Sequence, residues 1–166
     1  MKKELLILMA MVALILQNVN AQDEQLKIVT GHPDFMIQIK RCAASGKNVV
    51  LDMIFKNEGA VDTGDFSIFV DSYGWPHDDW DITVYDDEGN LYRQGARVKL
   101  ANSQYEPMIR GGVELVSGVP VKVSIKIPNV AETATSFAKI TFLVENKLWG
   151  IGEKPVEIRN VPITRK

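Results

Sequence analysis

The chain has little of what catalytic and metal sites are usually built from. Its 166 residues hold one cysteine and two histidines. A single thiol, Cys42, cannot form an intramolecular disulfide, so the core alone must hold the fold. Cys42 ends an apolar alternation and reads as a partly buried, inert thiol; a catalytic one needs a histidine partner and an electropositive setting. His32 precedes Pro33 in a lead-in and is a poor member of any triad. His77 stands beside Asp78 and Asp79, an arrangement common on surfaces, and zinc asks for more nitrogen or sulfur ligands at defined spacing. No phosphate-binding glycine loop, GxSxG elbow or HExxH helix is present. A glycosidase with two carboxylates needs a cleft that so small a domain rarely supplies. These absences argue against an enzyme and against a resident cofactor.

An excess of charge of one sign is missing too. Nineteen Lys and Arg face twenty-one Asp and Glu, for a net charge of −2, and no run of basic residues exceeds two. Neither nucleic acid nor an anionic membrane is expected as a partner.

Long apolar runs are absent except at the start. Lys2 and Lys3 precede an unbroken apolar stretch from Leu5 to Leu16, and Val19 and Ala21 fit the two small-residue positions before a cleavage site. This is the pattern of a secretory signal peptide over 1–21, with Gln22 as the new N-terminus. The apolar stretch falls short of the roughly 20 residues needed to span a bilayer, so no membrane span is expected after cleavage. No cysteine follows it to accept a lipid. The expected location is exported, periplasmic or secreted.

What is present is alternation with a period of two, and long helical periodicity is missing. In VPVKVSIKI, Val119, Val121, Val123, Ile125 and Ile127 face one way and Lys122, Ser124 and Lys126 the other. Val49, Leu51, Met53 and Phe55 oppose Asp52 and Lys56; Ala138, Ile140, Phe142 and Val144 oppose Lys139, Thr141 and Glu145. Further alternations run through Phe35–Ile37–Ile39, Phe66–Ile68–Val70, Trp80–Ile82–Val84, Val98–Leu100, Val113–Leu115 and Val156–Ile158. The last slips in phase before Val161 and Ile163, which suggests a bulge. Turn signals separate these runs, including Ser45-Gly46, Asn57-Glu58-Gly59, Glu88-Gly89-Asn90, Gly111-Gly112 and Ser117-Gly118. Only Asn129–Ser136 suggests a helical turn. The pattern predicts an all-β fold, an immunoglobulin-like antiparallel β-sandwich of eight or nine strands over 34–163, with a closed barrel or jelly roll as the alternative. Residues 22–33 read as a flexible lead-in and 164–166 as a tail.

The stretch DDWDITVYDDEGNLY places six acidic side chains between Asp78 and Glu88. A helix–loop–helix calcium site needs carboxylates at alternate positions, a central glycine and a distant glutamate, and that spacing is not met. Val84-Tyr85 and Leu91-Tyr92 flank a tight turn with a Gly-Asn pair, which is hairpin chemistry. Asp78, Asp79 and Asp81, with Asp71 nearby, remain weak candidates for a surface cation site. The loop SYGWPHDDW also brings Tyr73, Trp75 and His77 beside Asp78 and Asp79, the aromatic-plus-carboxylate set with which sandwich rims hold sugars. Trp75 precedes a proline and is the better exposed candidate. Trp80 is in phase with Ile82 and Val84 and is expected in the core, and Trp149 to cap one end.

Three stretches, TVYDDEGNLY, VELVSGVPVKVSIKIPNVAETATSFAKITFLV and KPVEIRNVPI, resemble a group of small exported immunoglobulin-like domains, broadly telokin-like, from Bacteroidetes. The resemblance implies a sandwich over roughly 34–163 and an extracellular-side location. The related domains are often lipoproteins, and this leader departs from that pattern. It supplies no catalytic residues. Two kinds of function remain. The favoured one is a module that binds a protein partner through a sheet edge or end loop. The alternative is a module that holds a glycan or calcium with the loop 71–81.

Overall fold

A computed structural model of the chain describes residues 25–71, 81–146 and 151–165. Among them it forms two sheets and no helix. In chain order the strands are β1 (Lys27–Val29), β2 (Phe35–Ser45), β3 (Asn48–Asn57), β4 (Thr63–Phe69), β5 (Thr83–Asp86), β6 (Leu91–Tyr92), β7 (Arg97–Leu100), β8 (Met108–Leu115), β9 (Val121–Ile127), β10 (Ser136–Asn146), β11 (Ile151–Pro162) and β12 (Thr164–Arg165). One sheet runs β1-β11-β10-β4-β8. Along the free side of β10, β5 pairs with Phe137–Thr141 and β4 with Leu143–Glu145, and β6 closes a hairpin on β5. The second sheet runs β12-β2-β3-β9-β7. The expected β-sandwich is therefore the observed architecture.

Phenylalanines tie the two layers together. Phe35 and Phe55 come from the five-stranded sheet, Phe66 and Phe142 from the other, and all four are buried. Phe35 meets Phe55 edge to face at 5.1 Å between ring centres and Phe66 at 5.2 Å; Phe55 stacks on Phe142 at 6.4 Å. Such pairs each add about 0.5–1.5 kcal/mol beyond the area they bury. Around them pack the predicted residues Val49, Leu51, Met53, Ile68, Val70, Ile82, Val84, Val123, Ile125, Ile127, Ile140, Val144, Val156 and Ile158.

Several expectations need correction. There are twelve strands among the described residues, more than eight or nine, because short edge pieces add to the long ones. The lead-in carries β1, whose Lys27–Val29 pair with Glu157–Arg159, and the tail carries β12, which lies parallel to β2 at Ala43–Ala44. Both segments find backbone partners on strands that would otherwise end the sheet, so neither is wholly free. Gly111-Gly112 is not a turn between strands but an irregularity inside β8. Both glycines have positive φ (54° and 65°), opposite Asp65 of β4 at 53°. Val119 is 48% exposed, because Val116–Val119 closes a turn around Gly118. Residues 129–135 form a loop with one turn, Ala134 N donating to Ala131 O, rather than a helical turn, and Ser136 already begins β10.

The phase slip near the C-terminus is real, and it has a partner. On β11 the buried set passes from Val156 and Ile158 to Val161, and just past the strand to Ile163, with Asn160 at φ 59°. On the paired strand β10 the set passes from Ile140 to Phe137, so Phe137 is buried where Ala138 was expected. The two slips lie opposite one another, and the register between the strands survives. Asparagine is the non-glycine residue that best tolerates this backbone region.

Candidate functional site

The residues singled out as a ligand loop, Tyr73, Trp75, His77, Asp78 and Asp79, lie outside the described residues, as do Trp80 and Trp149. Asp71 is described, buried, and ion-paired with Arg97 of β7, so its carboxylate already has a counter-charge. Asp81 is half-buried at the start of the approach to β5. Among the described residues no three His, Cys, Asp or Glu side chains group as they would around a metal ion. Nor is any described helix long and apolar enough to cross a membrane.

The acidic turn is described, and it is a hairpin whose carboxylates are engaged by donors of the turn and of a neighbouring loop. Val84 pairs with Tyr92 and Tyr85 with Leu91. Asp86 continues the inward phase of Ile82 and Val84 and is buried. It accepts hydrogen bonds from Glu88 N (3.0 Å), Asn90 N (2.8 Å), Asn90 Nδ2 (2.9 Å) and Tyr92 OH (2.6 Å). Gly89 supplies the positive φ that the turn requires, 84°. Asp87 takes the Thr135 amide and hydroxyl, Glu88 takes Thr133 Oγ1, and Tyr92 OH takes the Ala131 amide. Desolvation would raise the Asp86 carboxyl, but the Tyr92 and Asn90 donors hold it below the ordinary aspartate value. The acids of DDEGN thus clamp the hairpin to the loop 131–135.

The other polar concentration lies on the outer face of the five-stranded sheet, and it starts from a bulge. Phe35, Ile37 and Ile39 alternate inward, so strict alternation would bury Arg41 as well. The pairing of β2 with β3 shifts between Ile39 and Arg41. The extra residue turns Arg41 outward opposite Asp52 and sends Cys42 inward opposite Leu51. Across the outer face, register then builds two rows. Arg41, Asp52, Ser124 and Lys99 form one; Thr164, Ala43, Val50 and Lys126 form the next.

Asp52 lies on the solvent-side face yet is buried, at 7% exposure. Ser124 Oγ donates to one carboxylate oxygen at 2.6 Å, and Arg41 donates to the other through Nε (2.9 Å), with Nη2 in ion-pair contact with it at 2.7 Å. Desolvation pushes its carboxyl up, but the Ser124 and Arg41 hydrogen bonds and the charges of Arg41 and Lys122 outweigh it and hold the value low. Tyr105 lies directly opposite Lys99, beyond the edge of β7, and the Lys99 ammonium sits 4.9 Å from its ring centre. The Tyr105 hydroxyl is raised by desolvation and by the Asp52 charge.

Beside the cluster the second row is made of small side chains, and a groove of about 740 Å³ opens there. Ala43 and Val50 form its floor; Arg41, Tyr105, Lys126, Asn48 and Thr164 stand around it. This surface offers fixed donors, cations and an apolar floor. Two of the described groups with nucleophilic chemistry, Ser124 and Cys42, are committed elsewhere. The Ser124 hydroxyl serves Asp52, and burial pushes the Cys42 thiol up to about 12, against the opposing pull of Arg165.

None of these groove residues stood out in the sequence. The signals present were the lone Asp52 amid an apolar strand and the Lys122–Ser124–Lys126 alternation, both of which read as an ordinary wet face. Tyr105, in NSQYEP, carried no signal. The chain matches no family model and no curated protein.

Proposed function

We propose that the protein is an exported, non-catalytic β-sandwich module, immunoglobulin-like in kind, that binds a protein partner on the outer face of its five-stranded sheet. The observation that carries this reading is the groove over Ala43 and Val50, walled by Arg41, Lys126 and Tyr105. Its position on a sheet face assigns contact to side chains rather than to backbone pairing at an edge. Export rests on the basic start, the apolar run Leu5–Leu16 and the small residues Val19 and Ala21. N-terminal sequencing of the protein from culture fractions checks this part, with Gln22 as the expected first residue.

Photo-crosslinking tests the binding face. A benzophenone side chain is placed at Val50, in the groove floor, or at Tyr85, on the outer face of the other sheet. The reading expects one discrete adduct from position 50 in native cells, lost when Ala43→Arg fills the groove, and no such adduct from position 85. An adduct from 85 alone, or one from 50 that is indifferent to Ala43→Arg, would overturn it.

A further inference from the structure

The groove face differs in charge from the molecule that carries it. Strand register turns Arg41, Lys56, Arg97, Lys99, Lys122 and Lys126 outward on β2, β3, β7 and β9. The only carboxylate that the same register turns outward on the paired stretches of this sheet is Asp52. Lys56 and Arg97 are matched by their ion-pair partners Glu58 and Asp71, so a protein of net charge −2 presents on one sheet face four further cations against a single, buried anion.

That anion also orients one of the cations. Asp52 holds Nε and Nη2 of Arg41 and is itself held by Ser124. The guanidinium is pinned along one edge, while its side chain is 62% exposed. Nη1 and the second Nη2 hydrogen lie on the other edge of the fork. A planar fork held this way is pre-organised for a second carboxylate, because the entropy of fixing a long side chain has already been lost. Lys126, across Val50 from the same groove, forms no ion pair with any described residue.

We infer that the partner presents an acidic, extended peptide segment, with one carboxylate on Arg41 and Lys126 and its aliphatic stem on Ala43 and Val50. This rests on the binding face proposed above. Two observations favour a peptide over an acidic sugar. Among the described residues the only aromatic ring at the groove is Tyr105, half-buried and with Lys99 set against it; a pyranose wants an open ring face. The cations are also spread more widely than one small ligand reaches. Lys122 and Lys126 share a face of β9 four residues apart, about 13 Å at strand spacing, and an extended peptide repeats its side chains at that same spacing.

The test is an amide-resolved NMR titration of the purified protein at low salt with the peptide acetyl-(Glu-Ala)₄-amide. Its Gln-Ala counterpart and polygalacturonate serve as comparisons. The Glu peptide should shift amides around Arg41–Ala43, Val50 and Lys122–Lys126, weaken as salt rises, and lose at least about ten-fold in affinity with Lys122→Glu plus Lys126→Glu. Both lysines are at the surface, and an unchanged melting curve shows that the double variant folds. Three results would overturn the inference: no shifts on these strands, equal binding by the Gln peptide, or polygalacturonate binding where the Glu peptide does not. If the Val50 crosslink forms while the Glu peptide fails, the face binds but not through carboxylates. If both fail, the face itself is wrong.

Discussion

Asp52 of β3 and Ser124 of β9 are joined across the outer face of the sheet by a 2.6 Å hydrogen bond, and both are buried there. The bond uses one carboxylate oxygen and leaves the other to Arg41. Replacing Asp52 by Asn removes the charge that pins Arg41. We expect a loss of about 1–3 kcal/mol, seen as a fall of about 2–4 °C per kcal/mol in melting temperature for a domain this size. A double-mutant cycle with Ser124→Ala should give a coupling of at least about 0.5 kcal/mol. The folded carboxyl lies below the ordinary 3.8, so its stabilisation is complete above that pH and disappears as pH falls through the folded value. Wild type and Asp52→Asn should therefore converge at the acid end of a pH series. Parallel curves would show that the carboxylate charge is not what matters.

The hairpin acids give a separate prediction. Four donors fill the Asp86 carboxylate, and the carboxylates of Asp87 and Glu88 are taken by Thr135 and Thr133. Asp86→Ala leaves a half-buried tyrosine hydroxyl and turn amides short of an acceptor, and should cost about 1–3 kcal/mol. Millimolar calcium should leave the amides of Asp86–Asn90 unshifted in an NMR titration. Shifts confined to that turn would show that the ion competes successfully with the internal donors.

Cys42 should behave as a core residue. Its thiol faces inward opposite Leu51, and burial pushes it up to about 12. At neutral pH almost none is thiolate, so labelling with a disulfide reagent should proceed only as the domain unfolds. The labelling rate should rise with urea in step with global unfolding. Rapid, stoichiometric reaction in native buffer would place the thiol at the surface.

The sequence made most of the architecture legible because alternation reports burial directly. Phe35, Leu51, Phe55, Phe66, Val123, Ile125, Phe142 and Val156 were all read from period two, and all are in the core. The DDEGN turn was legible for the same local reason, since a glycine between two short apolar pairs specifies a hairpin. Apart from the slip before Val161, the places where alternation breaks escaped. Arg41 points outward only because of a bulge, Phe137 replaces Ala138 because two strands slip together, and Gly111-Gly112 bends a strand instead of ending it. The groove depends on the first of these breaks and on Tyr105 arriving from a loop. Its residues come from five separate stretches of chain, and only cross-strand register brings them together.

Asn57 offers the last prediction, and its sign under pH is informative. It ends β3 fully buried; Nδ2 donates to Val61 O (2.8 Å) and Leu115 O (2.9 Å), and Oδ1 accepts Gly59 N (2.9 Å). One side chain thus joins the loop after β3 to the end of β8. Asn57→Ala should cost about 2–3 kcal/mol, because the Leu115 carbonyl loses a buried donor. Asn57→Asp tests the assignment more sharply, since at neutral pH it sets a carboxylate against two carbonyl oxygens with only one amide in compensation. Its folded pKa should therefore rise above the unfolded value. The penalty is complete above the folded pKa and shrinks as pH falls and the acid gains a proton to donate. Urea midpoints for Asn57→Asp should move toward those of wild type between neutral pH and about pH 4. A constant gap would mean that size and not proton donation governs the site, and that Val61 and Leu115 are held by something other than this amide.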